Sequence, residues 1–130
     1  MAKNVLTVEL QQQDDNGAVL ARTKFDITET DPDSGEWRSG FLLTTAETTI
    51  SFAGVSAQAR QILLRNTHAT AKITVKWTPY GGAEATIGVI GPGGFMGWWD
   101  DTAAAASIGI SGMKLTSDTA STTFLLFLGG

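Results

Sequence analysis

Histidine is the side chain that ordinarily titrates near neutrality, and this sequence holds one, His68, as a candidate for general acid or base work. It lies in a polar stretch, Asn66-Thr67-His68-Ala69-Thr70, with no acid beside it to orient the ring and no nucleophile to serve. It therefore reads as a solvated turn residue. With no cysteine and no second histidine it cannot complete a zinc set. Ser111-Gly112-Met113-Lys114 has the Ser-x-x-Lys spacing of penicillin-binding enzymes. That spacing works at a helix start, where a turn brings the lysine beside the serine. Here glycines and β alternation surround it, and neither companion motif follows. Asp31-Pro32-Asp33-Ser34-Gly35-Glu36 opens like a calcium loop but lacks the closing bidentate acid, so it reads as a solvated turn. The glycines at 88, 91, 93, 94 and 97 miss the dinucleotide fingerprint, and no phosphate loop is present. No catalytic residue, cofactor or metal site is expected, and the chain is not expected to be an enzyme.

What remains is surface chemistry. From Ile87 to Asp101 five glycines, a proline and three large aromatics crowd together, so the chain must turn sharply and then bury or present much apolar area. Adjacent Trp98 and Trp99 on a strand point to opposite faces. One belongs to the core; the other is a subunit contact, an intramolecular flap or a glycan platform. The contact is preferred, because tryptophan is enriched where proteins meet. Phe95 and Tyr80 lie close in sequence and join them as candidate binding residues.

The elements that would carry these rings are strands. Charged residues make up only 17% of the 130 residues, and Thr-rich segments between turn signals suit a β protein. Lys3 to Gln13 alternates, with Leu6, Val8 and Leu10 expected to face the core, and Asn16-Gly17 marks a hairpin returning through Ala18–Thr28. Phe41–Thr45 and Thr48–Phe52 read as short strands joined by Ala46-Glu47, and Gly54–Gln58 as a connection. Arg60–Asn66 and Lys72–Thr78 both alternate and are expected to pair as a central hairpin. Ala83–Ile90, Ile108–Leu115 and Thr119–Leu128 complete the β pattern, with the acid-led run Asp100–Ala106 ambiguous. The apolar run Phe124–Leu128 is expected to be covered on both faces, by its own core and by a neighbouring subunit through Leu126. With roughly nine or ten short strands at sandwich-like spacing, the expectation is one all-β domain over 1–130, an antiparallel β-sandwich of jelly-roll or related Greek-key type.

The formal charge of −4 sits in the N-terminal half, and no Lys/Arg cluster occurs. Nucleic acid and anionic membrane surfaces are thus disfavoured as partners. The first residues do not form a signal-peptide core, and no apolar run approaches the ~18 to 20 residues of a spanning helix, so a soluble product made in a cytoplasm is expected.

The segments Leu63-Leu-Arg-Asn-Thr67 and Ile73-Thr-Val-Lys-Trp77, the Gly91-Pro-Gly-Gly94 turn with aromatics after it, and the terminal Thr119–Gly130 strand together resemble small β-sandwich structural proteins of tailed-phage virions. The resemblance implies a capsid decoration (cement) subunit in the virion, assembled in the host cytoplasm. Its partners would be the major capsid protein or another virion protein, and copies of itself in a homo-oligomer such as a trimer. Contacts would run through Trp98, Trp99, Phe95, Tyr80 and Leu126. The alternative it leaves open is a receptor- or glycan-binding module of a tail or head fibre, with Tyr80 and the exposed tryptophan as stacking platforms.

Overall fold

The computed structural model describes residues 4–29, 35–38, 42–52, 59–99 and 109–129. Residues 31–34 of the calcium-like stretch, the connection Gly54–Gln58 and the run Asp100–Ala106 lie outside them, whereas Gly35 and Glu36, expected in a solvated turn, begin a strand. Among the described residues there are ten strands and no helix: β1 (Asn4–Gln13), β2 (Val19–Glu29), β3 (Gly35–Arg38), β4 (Thr48–Ile50), β5 (Gln61–Asn66), β6 (Ile73–Pro79), β7 (Ala85–Ile90), β8 (Phe95–Trp99), β9 (Ile110–Ser117) and β10 (Phe124–Gly129).

Successive Cβ atoms leave a pleated strand on opposite sides, and this alternation builds the core. In β6, Ile73, Val75 and Trp77 are buried while Thr74, Lys76 and Thr78 are half-exposed. In β10, Phe124, Leu126 and Leu128 point inward. With Ile62, Leu64 and Leu115 they fill the space between two sheets, and full burial of each such side chain stabilises the fold by about 1.5–3 kcal/mol.

The sheets have the orders β3-β10-β5-β8 and β4-β9-β6-β7, all pairs antiparallel. β6 pairs with β7, β5 with β8, β4 with β9 and β3 with β10, so pairs close outward from the centre as in one long hairpin folded over on itself. This is the eight-stranded jelly roll. β1 and β2 stand apart from it as a separate two-stranded sheet.

The central hairpin expected between Arg60–Asn66 and Lys72–Thr78 does not form. β5 pairs with β8 and β10, β6 with β7 and β9, and the two lie in opposite sheets. Asn66 is the reason. Its fully buried amide donates to Ala71 O (2.7 Å) and Ile90 O (3.1 Å), and its Oδ1 accepts from His68 N (3.0 Å). Its backbone is bonded to Gly93 and Gly94 at 2.9 Å. The chain therefore leaves β5 around this side chain and crosses the sandwich, and Gly91–Gly94 recrosses it from β7 to β8. Gly93, at φ 73°, makes that second corner possible.

Two smaller expectations also change. Phe41–Thr45 is no strand within its described part, where only Leu43 makes a bridge, to Thr122. In β1 Leu6 and Val8 are half-buried, but Leu10 is 72% exposed, because the hairpin runs beyond the body that would cover it.

Candidate functional site

The two outer faces of the sandwich differ in chemistry. On the β4-β9-β6-β7 sheet, Lys76 Nζ lies 2.7 Å from Glu47, and Lys114 Nζ lies 2.9 Å from Glu84 and 3.8 Å from Glu47. The hydrogen bond from Lys76 is the main cause that holds the Glu47 carboxyl below its ordinary range, and Glu84 likewise raises the Lys114 ammonium. These groups are in water, where such pairs contribute little to stability but keep a surface wet.

The outer face of β10-β5-β8 is apolar. Register places Phe127 opposite Leu63 and Leu63 opposite Gly97; the next row is Leu125, Arg65 and Phe95. Trp99 also points outward, and its indole stacks on Phe127 with centroids 5.6 Å apart and an interplanar angle of 21°. The two rings meet over β5. Gly97 keeps this face low, since a Cβ there would come 3.0 Å from Ile62 O.

Strand β1 lies across this face. Between them is a cleft of about 650 Å³, walled by Leu6, Thr7, Val8 and Glu9 on one side and by Leu63, Arg65, Phe95, Gly97, Trp98, Trp99 and Leu125 among those on the other. The size is that of a small-ligand or side-chain site. Its polar groups are few. Glu9 is engaged by Arg22 at 3.5 Å and by Gln11. The buried indole N–H of Trp99 has no acceptor among the described residues, which leaves a donor unsatisfied.

Of the residues singled out in the sequence, Trp98, Trp99 and Phe95 meet at this cleft. Trp98 and Trp99 do point to opposite sides, but exposure follows position. Trp98, turned inward, meets Trp77 edge-on at 6.2 Å and is still 41% exposed, whereas Trp99, turned outward, is half-buried. Phe95 is 73% exposed. Tyr80 is exposed at the β6–β7 turn and does not line the cleft. Leu126 is a correction: it is fully buried between the sheets, so no partner can touch it, and the outward side chains of its strand are Leu125 and Phe127. Those two, with Leu6, Val8 and Leu63, were missed. Parity along the run Phe124–Leu128 signals the first pair, because alternation around a buried Leu126 turns its neighbours outward.

The chemistry the arrangement can do is recognition of apolar surface. His68 Nδ1 accepts from Thr70 N (3.2 Å) and Ala71 N (3.0 Å), a turn-building role. Ser111 Oγ is directed to the carbonyls of Thr78 and Pro79 while Lys114 is held by acids, so the Ser-x-x-Lys spacing brings no pair together. Among the described residues no three of His, Asp and Glu converge as a metal would require. No protein-family model, no curated protein and no solved structure matches the chain.

Proposed function

We propose that the protein is a structural subunit of a tailed-phage virion, of the capsid-decoration type, that binds the head shell and copies of itself. The observation that supports this reading is the asymmetry of the sandwich: one outer face carries an ion-pair network and the other an apolar cleft with exposed Phe95 and Trp98. A building block needs such a pair of faces, one for water and one for a partner, and large apolar patches on a small domain mark interaction sites. The jelly roll serves capsid proteins and lectins alike, so the surface rather than the fold carries the choice.

The test is reconstitution. Purified protein is added to expanded heads that lack it, bound copies are counted, and the heat resistance of the particles is followed. Saturable binding with a raised disruption temperature is expected; heads that take up no protein would end this reading.

The second reading is a glycan- or receptor-binding module of a tail or head fibre. It is favoured by one feature, the exposed rings of Trp98 and Phe95 beside a cleft of sugar size. Binding on a glycan array that disappears in Trp98→Ala would support it over decoration.

A further inference from the structure

We propose that the β1–β2 hairpin is an exchange arm that packs its apolar face into the cleft of a second copy of this chain. The proposal rests on the reading of the β10-β5-β8 face as a protein contact, and not on the identity of any shell. Among the described residues β1 and β2, of ten and eleven residues, pair only with each other. A hairpin that stands alone in water is marginal at best, so this one needs a cover.

Its two faces are unlike. Thr7, Glu9, Gln11, Arg22, Lys24 and Asp26 share one, tied across the strands by Thr7 to Asp26 at 2.8 Å and Arg22 to Glu9 at 3.5 Å. Leu6, Val8, Leu10 and Phe25 share the other. The chain's own body half-covers Leu6 and Val8 over the cleft, and leaves Leu10 72% and Phe25 49% exposed.

The matching surface is on the same molecule. The cleft wall offers Leu63, Leu125, Trp99 and a 73% exposed Phe95. Area decides the symmetry. At about 3.3 Å per residue and about 4.8 Å per strand one arm face covers about 330 Å². One-way docking would bury about 650 Å² in total, which is weak, whereas mutual exchange of two arms buries about 1,300 Å², within the range of stable interfaces. Closed exchange between equal copies is therefore the arrangement inferred.

Sedimentation of the full-length protein without shells or glycans tests this. The wild type is expected to associate. Leu10→Glu and Phe25→Glu, at exposed positions, are expected to weaken association at least about tenfold with an unchanged β-sheet circular dichroism spectrum. Val5→Glu, on the other face and 52% exposed, should leave association intact. The chain has no cysteine, so copies carrying Leu10→Cys can be mixed with copies carrying Phe95→Cys, and a disulfide between copies is expected. A monomeric wild type, association unaffected by Leu10→Glu, or no cross-link between copies would each overturn the exchange arm. Heads that bind the monomeric Leu10→Glu variant as well as wild type would leave the decoration reading standing without it.

Discussion

Trp99 on β8 and Phe127 on β10 stack at 5.6 Å over the strand between them. An offset pair of this kind contributes about 0.5–1.5 kcal/mol beyond the area it buries. A double-mutant cycle with Trp99→Ala and Phe127→Ala, followed by denaturant unfolding, should return a coupling energy of that size. A coupling near zero would mean that the rings are neighbours without mutual support.

The buried amide of Asn66 is the hinge of the fold. Asn66→Ala strands the carbonyls of Ala71 and Ile90 and the N–H of His68, and should cost about 2–4 kcal/mol in thermal or chemical unfolding. Asn66→Asp keeps the acceptor for His68 but sets a carboxylate against two carbonyls, and should be no better tolerated.

Two glycines of positive φ separate strain from crowding. Gly109, at φ 95°, would bring a Cβ to 2.6 Å from Ala59 O, within the bridge that ties Ala59 to Ile110, whereas Gly17, at φ 84°, has open space. Gly17→Ala should cost about 1–2 kcal/mol from backbone conformation alone. Gly109→Ala should cost clearly more, and equal losses in melting experiments would refute the steric account.

Asp118 accepts the backbone N–H of Lys72 at 2.9 Å, the main cause that places its carboxyl below the ordinary range; Glu47 is lowered mainly by Lys76. A carboxyl lowered on folding contributes stability that is complete above its unfolded value, about 4. That contribution is lost as the pH falls through the lower folded value. Lys114, raised mainly by Glu84, behaves oppositely: its contribution is complete below the ordinary lysine value of about 10.4 and is lost as the pH rises through the folded one. The melting temperature of Asp118→Asn should therefore lie below wild type at neutral pH and converge with it in acid. For Glu47→Gln the gap should be small and should shrink with added salt, since the pair is exposed.

The sequence by itself determined most of the elements and, in the clearest of them, the inward and outward sides. Ile73, Val75 and Trp77 turn inward, Asn16-Gly17 closes the first hairpin, and Trp98 and Trp99 part to opposite faces. These are local facts, set by a two-residue period and by which residues accept positive φ. Pairing was not legible. Asn66–Thr70 looks like any polar turn, and nothing within it reveals that Asn66 is buried and sends β6 to the opposite sheet from β5. The site divides in the same way. Phe95, Trp98 and Trp99 could be named from residue type, but Leu126 was taken for an outward residue, and the wall contributed by β1 could not be seen. Only the tertiary structure decided these, because burial depends on which distant strand lies across a face. Leu6, Val8 and Leu10 have one chemistry and one parity, yet the body half-covers two and stops short of the third.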